Sequence, residues 1–189
     1  MGDRESVEDL VSGRSCGNCT VCCNILKINV PELKKPSDVL CPNCTRAGCQ
    51  IYENRPSVCE EYYCGWRILR GLGDDWRPDR CGVLIGIVER EQSIPAGFPQ
   101  VALKLDVVDS PNVLFWEPLI RFIGSEIEQG RPVFLGTPAP VGYERRKVFL
   151  NHMLAEAVAA HNLTRMIDGL RRAFQIGVSD AMKEKTTFD

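Results

Sequence analysis

CGNCTVCC, residues 16–23, is the stretch that decides how the N-terminal third of this chain folds. Two C-x-x-C units overlap in it, and a fourth cysteine follows directly. A C-x-x-C turn brings two sulfur atoms to one side of a tight loop, and this spacing recurs at tetrahedral zinc and at iron–sulfur sites. Because neighbouring side chains usually point apart, either Cys22 and Cys23 belong to two different sites, or one of them is a packed thiol.

More cysteines follow in CPNC (41–44) and in CQIYENRPSVCEEYYCGW (49–66), so nine of the ten lie between Cys16 and Cys64. A tetrahedral site takes about four ligands. Nine thiols therefore suit two metal centres with one thiol left over, or one iron–sulfur cluster and one zinc. Cys81 stands apart and is open between ligand, resolving thiol and core residue. The candidate metal ligands are Cys16, Cys19, Cys22, Cys23, Cys41, Cys44, Cys49, Cys59 and Cys64.

The bulk composition excludes several classes of protein. The chain has 189 residues, 44% of them hydrophobic and 25% charged, with a net charge of −2, which is typical of a globular protein. It contains no run of 18 apolar residues, so no membrane span is expected. The near-neutral charge predicts no nucleic-acid partner. The polar N-terminal residues predict no secretory signal peptide, so we expect a cytoplasmic protein, in which clustered cysteines bind metal rather than form disulfides.

Three regions follow from the pattern along the chain: a polar lead-in (1–15), a cysteine-cluster metal-binding domain (16–81) and an α+β scaffold region (82–189). The cysteine region has little hydrophobic periodicity and cannot offset its own ordering entropy. Metal ligation would supply the missing stabilisation, as in small zinc domains. Local patterns predict short elements here, namely a helix over Ser6–Ser12, a strand over Asn24–Val30 and a helical turn over Pro31–Lys35.

Beyond residue 81 the pattern becomes that of ordinary strands and helices. The fold class is therefore α+β, with a loop-rich, metal-stabilised cysteine domain followed by a small antiparallel sheet packed with helices. A helix is expected either to begin near Glu117 or to be kinked at Pro118. The other predicted elements are an antiparallel pair of strands over 82–89 and 101–108, a third strand over 132–136, and helical structure over 148–176 with a break at 162–164 and a C-cap at Gly177.

Two further kinds of residue were considered as ligands or as support. His152 and His161 are nine residues apart, so on one straight helix they are separated by about 900° and face opposite ways. They are not expected to chelate a metal together. Arg55 is expected to give polar support to a cluster sulfur or to Glu53. The aromatic residues Tyr52, Tyr62, Tyr63 and Trp66 are expected to form a small core around the metals.

Taken together, the cysteine motifs resemble the CxxCxxCC cysteine-cluster (YkgJ-type) family, whose members are described as zinc- or iron-chelating proteins. The matching segments are C-x-x-C-x-x-C-C at 16–23, C-P-x-C at 41–44, G-C-x-I-Y-E-x-R-P at 48–56 and C-x-x-Y-x-C-G-W at 59–66, with an extension through 77–80. The resemblance implies metal chelation rather than any particular reaction. A related branch, flagellin lysine methylase, implies iron–sulfur or methyl-transfer chemistry, but this chain has no glycine-rich nucleotide-binding loop.

Three functions follow in order of preference. The first is a cytosolic thiolate protein that chelates Zn²⁺, or iron in its place, with no cellular role assigned. The second is a zinc-folded module that binds a protein partner. The third is an iron–sulfur oxidoreductase or protein-modifying enzyme, which needs an open coordination position or a substrate pocket. The sequence itself does not decide whether the chain is an enzyme.

Overall fold

The computed structural model describes residues 10–45, 47–89 and 93–188. The helix expected over Ser6–Ser12 lies largely outside these residues, and residues 10–12 are not helical. Residues 11–14 are attached to the cysteine region. The backbone N–H of Val11 donates to the Arg67 carbonyl at 2.8 Å, and the Arg14 guanidinium donates to the carbonyls of Trp66, Leu69 and Leu72.

All the helices and strands in the described part of the cysteine region are short. Two antiparallel hairpins are formed, one by Ile28–Val30 with Leu33–Lys35 and one by Cys44–Thr45 with Gly48–Cys49. The strand expected over Asn24–Val30 is confirmed only at Ile28–Val30, because Asn24 and Ile25 end a short helix. The helical turn expected over Pro31–Lys35 is wrong, because Leu33–Lys35 is a strand whose first and last side chains are both buried. The elements are α1 (Val21–Ile25), β1 (Ile28–Val30), β2 (Leu33–Lys35), β3 (Cys44–Thr45), β4 (Gly48–Cys49), α2 (Ser57–Glu60), α3 (Gly65–Ile68) and α4 (Pro78–Cys81).

A four-stranded sheet forms the centre of the molecule, with strand order β5 (Val83–Glu89), β6 (Val101–Val107), β7 (Val133–Thr137) and β8 (Arg146–Phe149). The expected antiparallel pairing of the first two strands is confirmed, with Val83 opposite Val107. The β7–β8 pair is antiparallel as well, whereas β6 and β7 run parallel. A parallel pair needs a crossover connection, and the chain between these two strands provides one.

Three helices complete the fold: α5 (Glu117–Glu128), α6 (Asn151–Ala159) and α7 (Leu163–Asp180). Of the two alternatives at Pro118, the structure has α5 beginning at Glu117, so that the proline lies in the first turn, where its missing N–H breaks no helical bond. The expected break at 162–164 is confirmed. None of the helices described is long and apolar enough to span a bilayer.

Two expectations near the C-terminus are wrong. Residues 148–149 are not helical, because Val148 and Phe149 pair with Leu135 and Phe134 as part of β8. Gly177 does not cap α7 but lies inside it. A Cβ atom at Gly177 would lie 2.5 Å from the Cγ2 atom of Thr137, so glycine is needed there for the helix to pack closely on β7.

The cysteine region contacts both faces of the edge strand β5. Val83 and Ile85 face the core formed with α5, α6 and α7, and Trp66 belongs to the same core. Leu84 points the other way and packs against Val21 and Ile25 of α1. The alternation of side chains along β5 therefore places α1 and α3 on opposite sides of the strand.

A buried ion-pair network joins the cysteine region to the sheet at Arg145, whose side chain is 4% exposed. Its guanidinium pairs with Asp38 and donates to the Val107 carbonyl, and its Nε atom lies 3.4 Å from Oδ1 of Asp106. Lys104 pairs with the other oxygen of Asp106 at 3.1 Å. Because Asp38 precedes the Cys41 loop, this network fixes that loop against the sheet.

Replacing Arg145 by methionine is expected to lower the free energy of unfolding by about 3–5 kcal/mol, because Asp38 and Asp106 lose a buried partner. Urea denaturation of the metal-free protein measures this change. The matched control is Arg121→Met, which removes an exposed pair with Glu117 and is expected to cost at most about 0.5 kcal/mol. Equal effects of the two substitutions would contradict a stabilising role for the network.

Candidate functional site

The nine candidate cysteines form two adjoining groups, which meet at Cys22 and Cys23, whose thiols share a hydrogen bond. Cys19, Cys22 and Cys64 pack on the apolar cluster around Leu84, and Cys16 lies beside Cys64. Cys23, Cys41, Cys44 and Cys59 belong to a second cluster, and Cys49 lies beside Cys59. We call the two sets group 1 (Cys16, Cys19, Cys22 and Cys64) and group 2 (Cys23, Cys41, Cys44, Cys49 and Cys59).

Group 1 is built from the first C-x-x-C turn and the N-terminus of α3. The backbone N–H of Cys19 donates to the Cys16 carbonyl at 2.9 Å, which closes the turn. Cys64 directly precedes α3, which approaches β5 closely because Gly65 has no side chain: a Cβ there would lie 2.7 Å from Cγ2 of Ile85. Burial raises the pKa of the Cys64 thiol, and the neighbouring Cys16 and Cys19 raise it further.

Polar side chains touch two of the group 1 sulfur atoms. The Arg67 guanidinium donates to the Sγ atom of Cys16 at 3.4 Å. The Cys19 thiol shares a hydrogen bond with the Asp79 carboxylate, and Arg77 binds the same carboxylate and holds its pKa below the ordinary value. Burial is the main reason that the pKa of Cys19 is raised. The segment at 77–80 therefore supports the first C-x-x-C turn directly.

Group 2 is formed where the β1–β2 hairpin meets the loop that leads to β3. Cys41 and Cys44 are buried with Ile28 and Leu33. Backbone hydrogen bonds link three of the cysteines, since the N–H of Cys41 donates to the Cys23 carbonyl at 3.0 Å and that of Cys44 to the Cys41 carbonyl at 2.9 Å. Cys49 is the direct cross-strand partner of Cys44.

Three thiols of group 2, those of Cys23, Cys44 and Cys59, have a raised pKa and favour their protonated form. Hydrogen bonding to Cys22, and then burial, raise the pKa of Cys23. Burial also raises the pKa of Cys59, and raises that of Cys44 to about 11. Arg55 acts in the opposite direction on Cys59; its guanidinium lies 3.8 Å from the centre of the Tyr52 ring, and its buried Nε–H has no hydrogen-bond partner. A cation that binds group 2 must therefore displace protons.

The donor chemistry of both groups fits zinc or iron, because each of these metals binds thiolate sulfur. Their geometry is not that of a formed metal site. Within residues 10–45, 47–89 and 93–188, no three or more His, Cys, Asp or Glu side chains are arranged so that they could hold a metal ion. In each group the thiols lie in the same neighbourhood but do not point at one common position. Metal binding requires their side chains to turn toward a shared site.

Cys81 belongs to neither group. Its Sγ atom lies 3.3–3.4 Å from the carbonyls of Trp76 and Val83 and accepts a hydrogen bond from the Val83 N–H. It packs against the main core, and burial raises its pKa to about 11. Of the three roles left open by the sequence, this environment is that of a core thiol.

The histidines and aromatic residues lie as follows. His152 packs against the rings of Phe98 and Phe149, while His161 is exposed and lies 3.2 Å from Glu128. Trp66 is buried in the main core, whereas Tyr52 is exposed.

Comparisons of the chain with protein-family models, with curated proteins and with solved structures found no match.

Sequence reasoning missed two side chains beside the thiols. Arg67 follows the C-G-W motif but matches no ligand pattern, and only the fold of α3 brings it to Cys16. Lys35 is one of two adjacent lysines, and nothing in the sequence distinguishes it from its exposed neighbour Lys34. The strand Leu33–Lys35 has only three residues, which is too short for an alternating pattern in the sequence to predict which lysine is buried.

The metal-free, reduced protein is expected to lose stability as the pH rises from about 9 to 11. The pKa of Cys81 is higher in the folded protein than in the unfolded chain. Its contribution to the free energy of unfolding is therefore fully present below the pKa of the unfolded chain and is lost as the pH rises through about 11. We expect the Cys81 share of this loss to be about 3 kcal/mol, as measured by urea denaturation at several pH values. Cys81→Ala is expected to lessen the pH dependence, and an unchanged dependence would contradict the assignment of Cys81.

Proposed function

We propose that this chain is a cytosolic metal-binding protein of the CxxCxxCC cysteine-cluster type, which holds zinc, or iron in its place, through thiolates. The observation that carries the proposal is the separation of nine cysteines into one set of four and one set of five. About four ligands are what a tetrahedral thiolate site needs, so each set can serve one metal centre. This corresponds to the first of the two arrangements that the ligand count allows.

The short elements of the cysteine region support the same proposal. Among the described residues between Val21 and Cys81, the α-helices are four or five residues long, the 3-10 helices three, and the strands two or three. Elements of this length are marginal without packing or ligation. Convergence of the thiols on a metal would link α1, the two hairpins and α3, so binding and folding of this region are coupled.

Metal analysis of the reduced, untagged chain purified without oxygen tests the proposal. We expect two metal ions per chain by elemental analysis. The double substitutions Cys16→Ser/Cys19→Ser and Cys41→Ser/Cys44→Ser are each expected to remove one of them, because each leaves too few thiolates in its group. Cys81→Ala is the matched control and is expected to keep both.

The absorption spectrum of the same sample distinguishes the metals. Zinc sites are colourless, whereas iron–sulfur centres absorb visible light, so colour together with iron and sulfide would assign the iron alternative. Less than one metal per chain, with every thiol open to alkylation, would overturn the proposal. Loss of metal from Cys81→Ala as large as from the double variants would contradict the division into two groups.

A further inference from the structure

Lys35, the last residue of β2, has a side chain that is almost completely buried, with 1% of its surface exposed. Its Nζ atom donates to the carbonyl oxygens of Asn24 at 2.8 Å, Pro36 at 2.9 Å and Val39 at 2.6 Å. A neutral amine has only two N–H donors, whereas an ammonium has three. Three carbonyl acceptors around one nitrogen therefore hold Lys35 in its charged form, although burial lowers its pKa.

A buried charge is costly unless an opposite charge lies nearby. Carbonyl groups supply dipoles but no net charge. The ionisable groups whose charge would act most strongly on Lys35 are the thiols of Cys41, Cys23 and Cys22 and the carboxylate of Asp38. Asp38 is already paired with Arg145. The neighbouring thiols, Cys23 and Cys41 of group 2 and Cys22 of group 1, are therefore the groups that can supply the missing negative charge.

The three carbonyls that bind Lys35 also place it between the segments that carry these thiols. Asn24 directly follows Cys23, and Val39 lies two residues before Cys41. The same two segments are joined by the hydrogen bond from the Cys41 N–H to the Cys23 carbonyl. Lys35 thus holds together the part of group 2 in which negative charge would develop.

We propose that Lys35 is the counter-ion of a metal centre in group 2. This inference rests on the proposed function and deepens it. Binding of a divalent metal by four thiols releases four protons to solvent and leaves a complex with a net charge of −2, of which the Lys35 ammonium neutralises half. Lys35 is a positioning residue: it touches no metal and acts on the thiolates through its charge.

The test uses the full chain carrying Cys16→Ser/Cys19→Ser, so that only group 2 binds metal. Lys35→Met removes the charge at similar side-chain length, and Lys35→Gln removes it but keeps two N–H donors. Lys34→Met is the matched control on the exposed side of the same strand. Zinc affinity is measured against a competing chelator, and protons released per zinc are measured by calorimetry in buffers of different ionisation enthalpy.

Both Lys35 variants are expected to bind zinc at least about tenfold more weakly, the lower end of the range for losing a support residue of a metal site. They are also expected to release about one proton fewer, because one thiol stays protonated when its counter-charge is gone. With cobalt in place of zinc, the sulfur-to-cobalt charge-transfer band is expected to weaken accordingly. Lys34→Met is expected to change neither quantity.

Several results would overturn the inference. Weaker binding with an unchanged proton count in Lys35→Gln would show that the residue acts only through its hydrogen bonds. Unchanged affinity and proton count would show that it has no part in binding. If the Cys16→Ser/Cys19→Ser chain with intact Lys35 takes up no zinc although the unsubstituted chain does, the counter-ion role fails. If the unsubstituted chain binds no metal either, the proposed function itself fails.

Discussion

Both groups of thiols depend on the contact between α1 and the outer face of β5. Val21 and Ile25 pack against Leu84, and Cys22 and Cys23 lie between these two anchors on the same short helix. Successive residues of a helix point about 100° apart. With the apolar side of α1 fixed against the sheet, one cysteine packs with group 1 and the next with group 2. A five-residue helix has no stability of its own, so the sheet determines where these two thiols lie.

The scaffold region was the easier part to predict, because its strands and helices are long enough to show a period. The strand pair β5–β6 and the division between α6 and α7 follow from apolar spacing and from an asparagine cap at Asn162. The errors occurred where one pattern fits two structures. Val148 and Phe149 suit the start of a helical stripe as well as a strand, and only their partners on β7 decide between these. The parallel β6–β7 pair also depends on the path of the crossover, which no local pattern records.

In the cysteine region the reverse holds: the ligand types could be predicted, but their grouping could not. Spacing in the first motif suggests that Cys16 and Cys19 act together. Nothing in the sequence assigns Cys64 to them rather than to Cys59, which is nearer in the chain. That assignment comes from α3, whose glycine allows close approach to Ile85 and so brings Cys64 back to the first turn. The contact that positions Cys64 therefore joins Gly65 of the C-G-W motif to Ile85 of the scaffold region, and the local sequence does not reveal it.

The proposed metal centre in group 2 has a charge balance that the surrounding residues determine. Burial raises the pKa of Cys44 and Cys59, so without a metal these thiols are neutral at neutral pH. Lys35 is held as an ammonium in the same place by three carbonyl oxygens. Neutral thiols beside a buried ammonium leave one positive charge uncompensated, which is unfavourable in a medium of low polarity. If several thiols lost their protons without binding a metal, the negative charges would outnumber the one ammonium and repel one another. In the centre that we propose, a divalent metal with about four thiolates would carry a net negative charge, half of which the Lys35 ammonium would balance.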